Sequence, residues 1–182
     1  MDKKYIKYIV ILLAALLLGV AGWQYSKYRD DKVLLQASGI YAEMLSAHEQ
    51  QQDDQVIANA KNLVAEHGTT PYGVIAAMLL AKIAIEGNDF VTATQHLNVA
   101  VANGKNNLSH IARLRLARVL LVQEKYAAAL EIVADHKSKF FSSLYFSVQG
   151  DIYAAMGETK KARAAYNSVA NNDLVDLKLS DL

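Results

Sequence analysis

Three helix-sized stretches of this chain line up on their small residues, and no other feature narrows the possible folds as much. Phe90-x-x-Ala93-x-x-x-Leu97-x-x-Ala100 recurs as Tyr126-x-x-Ala129-x-x-x-Val133-x-x-His136, and again as Thr159-x-x-Ala162-x-x-x-Tyr166-x-x-Val169. The intervals from Ala93 to Ala129 to Ala162 are 36 and 33 residues. Ahead of each lies a second apolar run with a small residue inside it: Leu80-Ala81-x-x-Ala84, Leu116-Ala117-x-x-Leu120 and Gln149-Gly150-x-x-Tyr153. Two helical patterns per period of about 34 residues describe helix-turn-helix units stacked on their neighbours. A small residue at one fixed place in each helix lets the pair cross closely. Gly150 and Ala162 are therefore expected at a crossing, with Tyr153 and Tyr166 filling the space beside them.

This pattern resembles the tetratricopeptide repeat, and the punctuation agrees with it. Gly68 is placed to close one helix, and Thr70-Pro71 to open the next as N-cap and first helical residue. Gly87-Asn88, Gly104 and Gly157 each follow an apolar run, where a left-handed residue is expected. A degenerate fourth unit is expected ahead of these, with helices near Val33 to Gln50 and Gln55 to Glu66. The tail "NDLVDLKLSDL" places Leu174, Leu177 and Leu182 on one side and is expected to cap the stack. A single proline and abundant Ala, Leu and Tyr favour helix over sheet. The fold class expected is an all-α solenoid of about four helix pairs, large enough to bury about 70% of its unfolded surface.

The first thirty residues are of another kind. From Tyr8 to Tyr25 the only polar side chain outside the two tyrosines and Trp23 is Gln24. Eighteen helical residues span about 27 Å, near the lower limit for a hydrocarbon core of about 30 Å. Tyr5 and Tyr8 on one side, and Trp23, Tyr25 and Tyr28 on the other, resemble two interfacial aromatic belts. Lys3, Lys4 and Lys7 precede the run and Lys27, Arg29 and Lys32 follow it, so the charge bias is weak. The short lysine-bearing tail favours N-inside, with the rest of the chain outside the cytoplasm. The division expected is 1–28 as short tail and transmembrane anchor, and 29–182 as a periplasmic repeat domain. Gly19-Val20-Ala21 also fits a signal-peptidase site, which would release a soluble carrier. Against that, helical periodicity runs on through Val33/Leu34, Ala37, Ile40/Tyr41 and Met44/Leu45.

Little in the sequence points to chemistry. Net charge is +1 with both signs mixed, which gives no footprint for nucleic acid. Cysteine is absent, so no disulfide, thiolate metal site or cysteine nucleophile is possible. His48, His67, His96, His110 and His136 make no H-x-x-x-H or H-E-x-x-H spacing. No glycine-rich phosphate loop or nucleophile elbow is present. Asp53-Asp54 with Glu43 and Glu49 lie in "SAHEQQQDDQ", which reads as a solvated inter-helix loop rather than an acid–base pair. No enzymatic activity, metal or cofactor is expected.

What remains is binding. In tetratricopeptide solenoids the first helix of each pair lines the concave groove. Alignment on the small residue puts Ile75, Met78, Lys82 and Ile85 there, then Leu114, Arg118 and Leu121, then Leu144, Ser147 and Asp151. Of these, Met78, Lys82, Ile85, Arg118, Leu121, Ser147 and Asp151 are the candidate partner-binding residues. The set is mostly aliphatic with a few charges, the makeup of a groove for an apolar or amphipathic segment. Ile75, Leu114 and Leu144 serve equally well as ordinary core between repeats. In "RLRLAR" the arginines Arg113, Arg115 and Arg118 point in different directions around one helix and form no single clamp.

"TTPYGVIAAMLLAKIAIEGNDFVTATQHL", "IARLRLARVLLVQEKYAAAL" and "GDIYAAMGETKKARAAY" resemble the periplasmic domain of the YfgM family, ancillary subunits of the bacterial SecYEG translocon. The likeness covers the chain from about Trp23 onward. It implies a single-pass inner-membrane protein working beside the translocon with a PpiD-like periplasmic chaperone, helping newly exported polypeptides, with no catalytic residues. The family carries a longer tail ahead of its anchor than the roughly seven residues that precede the apolar run here. Two other readings fit the same residues: a scaffold whose solenoid pairs with itself, and the soluble carrier released after Ala21.

Overall fold

The computed structural model describes residues 3–134, 138–169 and 178, and within the first helix the side chains of 13 and of 16 onward. Among these residues the chain is all helical and without strands. The order is α1 (Lys3–Glu49), α2 (Asp53–His67), α3 (Pro71–Glu86), α4 (Phe90–Asn103), α5 (Asn106–Val122), α6 (Tyr126–Ala134), α7 (Ser142–Ala155) and α8 (Thr159–Asn167). Each helix packs on the next, and each odd-numbered helix from α1 to α7 also touches the following odd one. The odd helices therefore form one layer and the even helices the other. This is the stacked-hairpin arrangement expected, with α1–α2 as the degenerate first unit.

Four turns of the same kind generate the stack. Within each hairpin one residue takes a left-handed backbone: Gln51 (φ 57), Asn88 (φ 58), Glu124 (φ 58) and Gly157 (φ 74). At each turn that residue's N–H donates to the carbonyl three back, and the next N–H donates to the carbonyl five back. At the second turn these bonds are Asn88 N to Ile85 O at 2.9 Å and Asp89 N to Ala84 O at 2.8 Å. The pairing is a Schellman motif, which satisfies carbonyls that a helix end would otherwise leave open. The spacings between these residues are 37, 36 and 33, so the structural period matches the sequence period and extends it to the first unit.

The expected punctuation holds at Gly157 and at Gly87-Asn88, where Gly87 has φ −82 and Asn88 is the left-handed residue. It needs correcting at Gly104. Gly104 is extended (φ −66, ψ 136), and the positive φ after α4 falls on Asn106. The expected opening of α3 is present: Thr70 Oγ1 accepts from Gly73 N at 3.1 Å, and Pro71 follows at the first helical position.

Counting from the turn residue gives one packing register. Ala93, Ala129 and Ala162 stand five residues after it and are 0% exposed. Leu97, Val133 and Tyr166 stand nine after it and are also buried. A Cβ added to Gly150 would run into the Tyr166 ring, so α7 and α8 cross as closely as glycine allows. In the first unit the same two places hold Val56 and Ala60, both buried, with large and small residues exchanged.

α1 packs only through its second half. Ala37, Met44 and Ala47 are buried against Val56, Ala60 and Leu63 of α2 and against Ala76 and Leu80 of α3. From Leu16 to Lys32 every residue of α1 is exposed, including Leu17 (67%), Leu18 (74%) and Trp23 (68%). The helix runs without interruption across the boundary expected at 28/29. Among the described residues no helix is long and apolar enough to cross a membrane. Much of the expected span over 8–25 lies outside the residues whose side chains are described, as do His136 and the capping leucines 174, 177 and 182.

Two stability experiments follow. Replacing Glu124 with Gly should stabilise the folded chain, and replacing Gly157 with Ala should destabilise it, each by about 1 kcal/mol; urea unfolding followed by circular dichroism measures both. Burial, with Lys61 adding to it, lowers the pKa of His96 from its ordinary 6.5. The unfolded chain thus takes up that proton first as pH falls, and stability present above about pH 6.5 declines below it. Thermal melts between pH 7.5 and 5.5 should flatten in His96→Gln.

Candidate functional site

The odd-helix layer carries a row of equivalent positions six residues ahead of each left-handed turn: Leu45, Lys82, Arg118 and Asp151. Lys82 and Arg118 are exposed, and Asp151 is half-buried. Ile85, Leu121 and Ser147 are also half-buried. Met78 is 5% exposed and belongs to the central core, so it contributes a wall rather than a contact surface. Leu114 is core as well, whereas Leu144 remains 46% exposed.

Three of the expected groove residues meet in one cavity. Met78, Lys82 and Ile85 of α3 line a space of about 200 Å³ with Ala81, Leu97 of α4 and Arg115 of α5. Its floor is aliphatic and its polar rim is the two cations. Lys82 Nζ lies 3.5 Å from Glu86 Oε1 one turn on, with side chains 68% and 62% exposed. Exposed pairs of this kind contribute little. Arg115 and Arg118 are both exposed, and among the described residues neither has a hydrogen-bond or ion-pair partner. Arg113, by contrast, is half-buried, with a buried Nε that lacks a partner among the described residues.

Sequence reasoning set Arg115 aside, with Arg113, Arg115 and Arg118 expected to point in different directions, and did not reach Leu97. Arg115 lies three residues before Arg118, about 60° around the helix, so it shares that face. The phase of α5, fixed by buried Ala112, Leu116 and Val119, was the signal that could have found it. Leu97 comes from an even helix, and an alignment of odd helices alone does not reach it.

At the last repeat the row is already occupied. Lys178 of the C-terminal tail places Nζ 2.6 Å from Asp151 Oδ1 and 3.4 Å from Ser147 Oγ. It also stands over the Tyr166 ring, 5.6 Å from the centroid. Tyr166 donates its hydroxyl to the same carboxylate oxygen at 2.7 Å. Burial, and then that hydrogen bond, push the Tyr166 phenol well above its ordinary range. Ser147 and Asp151 thus hold Lys178 of the same chain.

A second polar contact fixes the junction between α5 and α7. His110 stacks on Phe141 with centroids 4.9 Å apart, and its Nδ1 lies 3.0 Å from Tyr145 Oη. Burial raises the Tyr145 phenol, with Arg113 opposing. Among the described residues no cluster of three or more His, Cys, Asp and Glu side chains could hold a metal ion.

Stacked pairs, equal turns and small residues at the crossings of the last three pairs are the structure of a tetratricopeptide array, and comparison with known families agrees. Residues 3–182 match the tetratricopeptide repeat-like domain family. The chain belongs to that family. It is also similar to proteins named "Ancillary SecYEG translocon subunit". The one from Aggregatibacter actinomycetemcomitans is 29% identical, with 97% of this chain and 89% of the relative covered. That from Haemophilus influenzae is 29% identical over 94% and 88%. The Escherichia coli K12 protein is 26% identical over 90% and 80%. The YfgM-like resemblance of the sequence therefore stands. No solved structure matches.

The Asp151–Lys178 pair gives the test of this part of the surface. A double-mutant cycle of Asp151→Asn and Lys178→Met should return a coupling of about 1 kcal/mol in urea unfolding, as for a half-buried ion pair. Lys178→Met should also speed chymotrypsin cleavage near the C-terminus, where Leu174 and Leu177 offer sites.

Proposed function

We propose that this protein is a membrane-anchored ancillary subunit of a Sec translocon, with its repeat domain acting as a non-enzymatic interaction module outside the cytoplasm. The observation that carries the reading is the likeness, over nearly the whole chain, to relatives bearing that name. α1 supports the anchoring. It presents Leu16, Leu17, Leu18, Val20 and Trp23 to the surroundings, each at least half exposed, a pattern costly in water and natural in lipid. In this arrangement residues 1–28 are a short cytoplasmic tail and anchor in a bacterial inner membrane, and 29–182 face the periplasm.

A PpiD-like periplasmic chaperone is the expected companion, and newly exported polypeptides are the expected clients. The groove residues Met78, Lys82, Ile85, Arg118, Leu121, Ser147 and Asp151 are proposed to serve partner binding, Ser147 and Asp151 through Lys178. An anchor confines the repeats to the membrane surface and raises their effective concentration toward membrane partners, so weak contacts suffice.

Affinity purification of the full-length protein from membranes in mild detergent, with mass spectrometry, tests this reading. Translocon subunits and a periplasmic chaperone are expected among the recovered proteins. A control that exchanges residues 1–28 for an unrelated anchor assigns the binding to one part or the other. Recovery of the protein alone, or only with itself, would overturn the proposal in favour of a self-pairing scaffold.

A further inference from the structure

Resting on the reading of the repeats as an interaction module, we infer that the α3–α5 part of the groove takes an acidic amphipathic polypeptide segment. One aliphatic or aromatic side chain of that segment enters the cavity, and its carboxylates lie against Lys82, Arg115 and Arg118.

The first observation is the cavity itself. Its aliphatic floor of Met78, Ala81, Ile85 and Leu97 encloses about 200 Å³. Apolar cavities of about 150 Å³ accept a benzene ring, so the space suits a leucine or phenylalanine side chain. The second is the sign of the rim. Lys82 and Arg115 stand at the mouth, and exposed Arg118 lies three residues beyond Arg115 on the same face of α5. Among the described residues, Lys82 alone of the three is ion-paired, with Glu86 on a loose 3.5 Å contact. Two unpaired arginines and a loosely held lysine leave a positive edge beside apolar surface, and the complement to that edge is negative charge next to an apolar side chain.

The third observation says why the occupant is polypeptide. At the equivalent place in the last repeat, a residue of this polypeptide already lies on the row: Lys178 on Asp151 and Ser147. There the surface offers the anion and the segment supplies the cation. One repeat earlier the sign is reversed: Arg118 stands where Asp151 stands, and Lys82 one repeat before that. An incoming segment thus meets positive charge over the middle repeats, while the acidic position is already paired with Lys178. The same polarity discriminates against basic segments.

Fluorescence anisotropy on the full-length protein in dodecyl maltoside, with empty micelles as the blank, tests this with three labelled 14-residue peptides. The first carries leucines at every third or fourth position with glutamates between them. The second replaces the glutamates with lysines, and the third replaces the leucines with serines. The acidic leucine peptide should bind about tenfold more tightly than the basic one, the scale of two exposed ion pairs exchanged for two repulsions. Its affinity should fall with added salt, and the serine peptide should bind more weakly still.

Lys82→Glu combined with Arg115→Glu should reverse the order of the acidic and basic peptides. Both side chains are exposed, so an unchanged melting temperature confirms that the variant is folded. Equal binding of the acidic and basic peptides, no binding of any peptide, or an order untouched by the double reversal would overturn the inference. If translocon subunits still accompany the protein in that case, the inference alone falls. Absence of those subunits from the wild-type purification sinks the broader reading, whichever peptide binds.

Discussion

The last three hairpins close through contact between residues small enough to let two helices cross at close range. Ala93, Ala129 and Ala162 admit no solvent, and Gly150 leaves no room even for a methyl group beneath the Tyr166 ring. Everything else is built on that spacing. The close crossing brings Leu97, Val133 and Tyr166 into the seam, and the seam fixes how far the odd helices stand from one another. That distance in turn opens the cavity between α3 and α5. A larger residue at any crossing would force the pair apart, and in a stacked array the displacement passes to the next unit through the shared interface.

The repeats were legible because packing at a crossing depends on size, and size is written directly in the sequence. Ala93, Ala129 and Ala162 announce the period without help from the turns. The first unit was visible only through its periodicity, since bulk moved between positions there: Val56 stands where the other units have alanine, and Ala60 where they have a large residue. The same space is filled either way. Turns were less legible. A left-handed residue is cheapest as glycine, but Asn88, Glu124 and Gln51 take that conformation because the Schellman bonds around them repay the strain. Glycine therefore marked the turns at Asn88 and Gly157, gave no sign of those at Gln51 and Glu124, and misplaced the left-handed backbone at Gly104.

Alignment on small residues brought Met78, Lys82 and Ile85 to one cavity, but it ranks positions by equivalence rather than by solvent access. Met78 and Leu114 share a position and are both buried, whereas Ser147 at the same position is half-exposed and holds Lys178. Arg115 was left out of the groove because its counterparts, Leu79 and Val148, are apolar. What decides exposure at these places is the neighbouring repeat, and a single helical period carries no information about its neighbour.

α1 is one helix from the first described residue to the first turn, with no glycine-rich or proline hinge at its exit from the repeats. A helix advances about 1.5 Å and rotates about 100° per residue. The number of residues between the packed half of α1 and whatever holds its beginning therefore sets a compass bearing as well as a height. One residue more or fewer in that stretch would swing the whole array to face elsewhere while scarcely changing its distance. The groove of this protein points in a direction that its stalk determines by counting.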